Sequence, residues 1–301
     1  MTVQDSATPT PAIAVSGAGG GTLLASLGVV AFSLTFPSTV WGLESFGPWS
    51  LVAVRSGLAA LIAGCFLLML RVPVPDRRHW GALAVVGGGV VVGFPLLTTL
   101  ALETSTTSHA AVVVGLLPLT TAAFAAVRTG RRPSRTFWCA ALAGAAVVIG
   151  FAVQQSGGAL SAGDLYLFGA LLVCAAGYTE GGRLARVMPG WQVIGWALIG
   201  CLPLSVAGAA LALPFEPVRL TAHGMIGLLW VAAGSTFFGL YVWYRGMASI
   251  GIARASQLQL AQPVLTLVWS VLLLGEHLTP AAPVAAVAVL VCIAVTQRSS
   301  A

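Results

Sequence analysis

The chain has 301 residues, 58% of them hydrophobic and only 7% charged, with a formal net charge of +6 and a mean hydropathy of +0.96. A soluble protein carries about a quarter charged residues, so the composition excludes a soluble globular domain and indicates an all-α, polytopic membrane protein. The positive charge does not require a nucleic-acid partner, because all fourteen basic residues are arginines lying mostly in short clusters between apolar runs, as membrane topology demands.

Residues 1–21 are rich in Ser, Thr, Ala, Gly and Pro, with Asp5 as their one charge, and are expected to form a disordered tail without the basic start of a signal peptide. Five predicted spans follow over 22–41, 48–70, 80–102, 109–127 and 137–153. Pro37 lies near the end of the first and Arg55 lies inside the second. Gly93-Phe94-Pro95 interrupts the third, and Pro118 is at the middle of the fourth. A Gly/Ser-rich connection over 154–163 leads to spans over 164–182, 191–213 and 224–244. The ninth lies within 253–280, an uncharged run of about twenty residues between Arg254 and Glu276 that suits a ~30 Å hydrocarbon core. Pro263 at its middle must kink or open the helix, and lipid tolerates such a break only beside protein or a water-filled cavity. Ser256, Gln259, Gln262, Thr266 and Ser270 step by three or four and form one polar stripe beside it. The tenth span covers 280–296, and 298–301 is a short tail.

With the N-terminus inside, twelve arginines fall in inner loops and tails and only Arg219 in an outer one, so both termini are expected in the cytoplasm. An offset of 145 superposes Pro118 on Pro263, Gly130 on Gly275, Ser134 on Thr279 and Ala110 on Ala255. Five spans per half is an odd number, so the half over 164–297 must enter from the side opposite to the half over 22–153. Such inverted repeats place a binding site near the midplane at broken helices.

Arg55 is ~10 Å into its span, where a charge faces the interior or a cavity. It either captures a substrate carboxylate or pairs with Glu44 or Glu103. Glu180, ~24 Å past Asp164, pairs with Arg183 on the same helix face, titrates, or meets a substrate ammonium. Tyr178, with Trp196, Trp230, Trp243 and Trp269, lines an aromatic cavity or packs. Thr98, Thr99, Thr120 and Thr121 bond a substrate or their own helix backbone. Gly87, Gly88, Gly89 and Gly93 suit close helix packing. A hinge at Gly93 and Pro95, matched by Gly234-Ser235-Thr236, joins Pro118 and Pro263 as candidate bending points. The five cysteines lie inside apolar runs without a C-x-x-C pair and read as small packed hydrophobes. The four histidines fall at span boundaries, and no H-E-x-x-H or G-x-S-x-G constellation occurs within a span. No lysine is present for a P-loop or a Schiff base. The residues therefore point to no enzyme, no cofactor and no metal.

Residues 241–280, with Trp243, Ala253, Pro263, Leu274-Gly275-Glu276 and Leu278-Thr279, resemble the eighth and ninth spans of the drug/metabolite transporter superfamily, EamA-type. The resemblance implies a five-plus-five fold in the cell membrane and export of amino acids or related small molecules by alternating access. One feature departs from it: the first half reads Gly130-Arg131-Arg132-Pro133-Ser134, so the closing glutamate is present only as Glu276. A carrier for a lipid-linked group and a non-transporting membrane interaction protein are the alternatives. The oligomeric state is left open, a homodimer included.

Overall fold

The structure is a computed structural model describing residues 17–130, 134–250 and 258–299. Arg131, Arg132, Arg254, Ser256, Ala253, Ala255 and most of the expected N-terminal tail lie outside the described residues. Those residues are helical throughout, apart from turns and one isolated β-bridge between Phe46 and Val218. The first half contains α1 (Gly17–Ser33), α2 (Thr35–Leu43), α3 (Pro48–Met69), α4 (Trp80–Val86), α5 (Phe94–Leu102), α6 (Thr107–Val114), α7 (Leu117–Thr129) and α8 (Arg135–Gln155). The second contains α9 (Ala162–Leu184), α10 (Gly190–Ala212), α11 (Ala222–Leu229), α12 (Leu240–Ile250), α13 (Ala261–Leu274) and α14 (Ala281–Ser299). Joined end to end where they are continuous, these give eight stretches long and apolar enough to cross a membrane. Two apolar helices, Ala261–Leu274 and Ala281–Val295, are shorter.

The prolines lie where the helices are interrupted or begin. At Pro118 and Pro263 the helix opens: each lies in the first turn of a helical segment that follows an interruption at Gly115-Leu116 and at Leu260. Pro37 lies in the first turn of α2, after an interruption at Leu34, whereas Pro95 opens α5 as it continues without a break from the π-helix Gly87–Gly93. A first-turn residue has no intrahelical acceptor for its N–H, so proline costs nothing there. The glycine-rich stretch Gly87–Gly93 and its counterpart Trp230–Gly239 are both wound as π-helix, a form concentrated at functional sites. Gly89 and Gly93 also pack closely: a Cβ on Gly89 would collide with the Val173 carbonyl of α9.

The two halves correspond in their helix ends. Gly130 and Gly275, 145 residues apart, terminate α7 and α13 in the left-handed region at φ 67° and φ 66°, where a Cβ is penalised. The packing corresponds as well. α3 packs on α10, α8 on α14 and α6 on α13; α1 packs on α12 as α5 does on α9, and α1 on α13 as α7 does on α9. Exchanging the halves maps this set of contacts onto itself. Large side chains on the outer surface, such as Leu68, Leu142, Leu211 and Val284, are exposed and apolar. Lipid tails favour such a surface as readily as a protein interior does.

Candidate functional site

The breaks converge. One cavity of about 90 Å³ is bounded by Thr35 and Phe36 at the α1–α2 break, Phe94 and Pro95 at the start of α5, and Leu117 at the start of α7. Ser235 and Thr236 of the second π-helix and Gln259 and Gln262 beside the Leu260 break complete its circumference. Arg55 from α3, Tyr178 from α9 and Thr266 from α13 enter the same space. A smaller pouch of about 40 Å³ adjoins it. It shares Gln259, Gln262 and Thr266 and adds Ala111, Leu290 and Ile293. A break belongs at such a place because backbone groups freed from their helix are satisfied only by protein or cavity polar atoms. Thr236 Oγ1 donates to the Val231 carbonyl at 2.6 Å. Thr266 Oγ1 reaches the Ser33 and Gln262 carbonyls at 3.0 Å each, which ties α13 to the end of α1. Thr35 and Ser235 join their hydroxyls at 2.6 Å across the cavity wall.

Arg55 is only 5% exposed. Its Nη2 donates to Thr236 Oγ1 at 2.9 Å and to the Val231 carbonyl at 3.4 Å. The expected ion pair with Glu44 or Glu103 is not formed. Among the described residues Arg55 enters no ion pair, and the Glu44 carboxylate instead lies 3.8 Å from His223.

Several expected site residues lie elsewhere. Thr98 donates to the Phe94 and Pro95 carbonyls and Thr99 to Pro95, so both cover their own backbone. The Thr121 hydroxyl is buried without a hydrogen-bond partner and does not line the cavity. Trp243 packs against Ala25, Val29 and Phe32. Trp230 donates to the Ala31 carbonyl and Trp269 to Ser33 Oγ. An aromatic cage of tryptophans is therefore not assembled, and Tyr178 alone of that set reaches the cavity. Ser270 turns its hydroxyl onto the Leu267 carbonyl, so the polar stripe ends at Thr266.

Glu180 lies apart from the cavity, in a separate recess of about 440 Å³ with Phe124, Arg128 and Arg183. It accepts from Arg183 at 2.8 Å, as helical spacing predicts, and from Arg128 of α7 at 3.0 Å, which joins the two halves. At the opposite end of the bundle, carboxylates rest on helix N-termini. Glu276 accepts from the Thr107 and Ser108 backbone amides at 2.7 and 2.9 Å, and Glu216 from Trp49 and Ser50 at 3.2 and 2.7 Å. Asp164 is wholly buried there and meets His109 Nε2 at 2.6 Å, with Ser156 and Ser161 donating to its other oxygen. These three carboxylate arrangements are missing from the sequence reading. The only trace of them in the sequence is acidic residues recurring at loop ends.

Comparison with known proteins agrees with this architecture. The EamA-like transporter family matches twice, over residues 19–153 and 161–297. An uncharacterized transporter of Bacillus subtilis, YdeK, is 41% identical over 275 residues, covering 90% of this chain and 95% of the relative. A second from the same organism, YcbK, is 25% identical and covers 87% of each. A crystal structure with a TM-score of 0.64 and 21% identity covers 92% of this chain and 96% of its own, and so shares the fold.

Proposed function

The chain belongs to the EamA-like transporter family, and from that premise we propose that it is a secondary transporter exporting a small organic metabolite, such as an amino acid, by alternating access. The ten spans form two inverted five-helix repeats, 22–153 and 164–297, with both termini cytoplasmic. The arginine-bearing end then faces inward and the end holding Glu216 and Glu276 faces outward. The observation that carries this reading is the convergence of three helix breaks and two π-helical stretches, from both halves, on one largely uncharged cavity. Broken helices from paired repeats supply a midplane site and the joints about which the halves rock. The exchange symmetry of the helix packing supports the repeat.

A cavity of about 90 Å³ holds roughly three waters at ~30 Å³ each, far below the ~300 Å³ of an ordinary ligand pocket. In this conformation the space is too small for a metabolite, so a substrate enters only after the cavity widens. Gly93, Pro95, Pro118 and Pro263 mark the joints, and Gln259, Gln262, Thr266, Tyr178 and Arg55 supply the contacts. Among the described residues no carboxylate or histidine lines the cavity, so the driving force is the solute gradient or exchange and not a proton relay through the midplane.

Counterflow in proteoliposomes tests this. Vesicles preloaded with an amino-acid and organic-acid library are expected to take up at least one labelled solute only when the protein is present. Accumulation driven by an imposed pH gradient and lost in Glu180→Gln would overturn the exchange reading. No exchange across the library would overturn the transporter reading itself.

A further inference from the structure

We infer that the transported solute presents a carboxylate to Arg55 and carries no net positive charge; this rests on the transporter reading above. A guanidinium stays charged in protein, and a charge within the hydrocarbon depth costs several kcal/mol unless something offsets it. Here the offset is incomplete. Both hydrogen bonds of Arg55 leave from one nitrogen, Nη2, and both end on neutral oxygens. The described carboxylates near the spans lie at the two ends of the bundle: Glu180 between Arg128 and Arg183, Glu216 and Glu276 on helix N-termini, Asp164 on His109, Glu44 beside His223, and Glu103 exposed just past α5. Arg55 is 5% exposed and lines the cavity, so a ligand entering that space meets a buried cation whose charge no described residue pairs.

The chemistry that completes such a site is a planar carboxylate, whose two oxygens match the guanidinium fork. Among the described residues no carboxylate lines the cavity to receive an amine, so a cationic solute would add a second uncompensated charge. The adjoining pouch, with Ala111, Val114, Leu117, Leu290 and Ile293, does not include Arg55, and the two spaces share the amides of Gln259 and Gln262. The arrangement is bipolar, with a cation at one end, neutral amides between, and an apolar pouch at the other. A small carboxylate with an aliphatic body fits it, and an amino acid fits it if neutral oxygens receive the ammonium.

The test uses purified full-length protein and the probes propanoate, isobutyrate and isocaproate, each beside its carboxamide and amidinium isosteres. These keep the shape of the head group while its charge goes from negative to neutral to positive. The unfolding temperature is expected to rise with concentration for at least one carboxylate and to stay unchanged for its two isosteres. Arg55→Gln, which retains hydrogen bonding without charge, is expected to unfold at a temperature no lower than the parent and to weaken carboxylate binding by about tenfold or more. Arg55→Lys keeps part of that affinity. Equal stabilisation by a carboxamide or amidinium, an unaltered response in Arg55→Gln, or no response to any carboxylate overturns the inference. So does an Arg55→Gln protein that unfolds well below the parent, because Arg55 is then structural. In each of these cases counterflow of some other solute leaves the transporter reading intact; failure of counterflow for every solute sinks that reading separately.

Discussion

At Gly130 and Gly275 the two halves end a helix with the same left-handed glycine, yet the neighbouring residues clasp the bundle by different chemistry. Beside Gly275, Glu276 crosses to the other half and accepts two backbone amides at the start of α6. Two residues before Gly130, Arg128 crosses to Glu180 on α9. The first contact is half-sheltered and draws on the helix dipole, at about 1 kcal/mol and up to ~2 in favourable geometry. The second is a pair whose guanidinium is 62% exposed, a class worth about 0–1 kcal/mol. Glu216 reinforces the first end with a second carboxylate on the start of α3. Sequence repeats therefore conserve the shape of a helix end while the side chain beside it decides how firmly that end is held. The carboxylate-bearing end is the tighter one.

Asp164 offers the largest effect with which to break this comparison. It is 0% exposed and accepts from His109, Ser156 and Ser161, so Asp164→Ala strands these donors and leaves His109 without its partner. A loss of about 3 kcal/mol or more is expected in thermal or denaturant unfolding, as for several buried donors left unsatisfied at about 1–3 kcal/mol each. Asp164→Asn, which still accepts, is expected to lose less.

Glu276→Ala comes next. It uncovers the Thr107 and Ser108 amides, with an expected cost of about 1–2 kcal/mol. Labelling of Gln262→Cys by a membrane-impermeant maleimide, in a background without native cysteines, is expected to quicken when the reagent reaches the Glu276 end. Equal rates in Glu276→Ala and the parent would show that this contact does not restrain the cavity.

Arg128→Ala has the smallest expected effect on stability, below about 1 kcal/mol. It is expected to quicken labelling of the same cysteine from the arginine-bearing end. Ionic strength sharpens the contrast, because salt screens an exposed ion pair far more than a sheltered one. Raising salt is thus expected to mimic Arg128→Ala and to leave the Glu276 end unchanged. Comparable salt sensitivity at both ends would remove the asymmetry.

Much of the architecture was legible in the residues because the signals are local. Apolar runs, arginine clusters and the glycines at 130 and 275 depend on near neighbours alone. The Glu180–Arg183 pair was legible for the same reason, being three residues apart on one helix. Pro118 and Pro263 marked the interruptions and Pro95 the end of a π-helix, although the backbone path was needed to tell the two apart. Gln259, Gln262 and Thr266 were found as a stripe because polar atoms on a membrane helix stand out.

The sequence by itself thus determined that this protein is a helical membrane bundle of two related halves, interrupted where its prolines and glycines lie. Only the tertiary structure decided which contacts close it. Thr107 to Glu276, Arg128 to Glu180, His109 to Asp164 and Arg55 to Thr236 join residues 52 to 181 positions apart, and no local pattern encodes such pairings. The physical reason is the solvent. Lipid is as apolar as a protein core, so a span of Leu, Val and Ala does not show in its periodicity which face is inward. Thr98 and Trp243 were for that reason indistinguishable in sequence from residues that line the cavity. Gly89 packs closely on α9, Arg55 faces the cavity, and Glu180 lies in a separate recess; these placements depend on how the helices pack, which periodicity alone does not show.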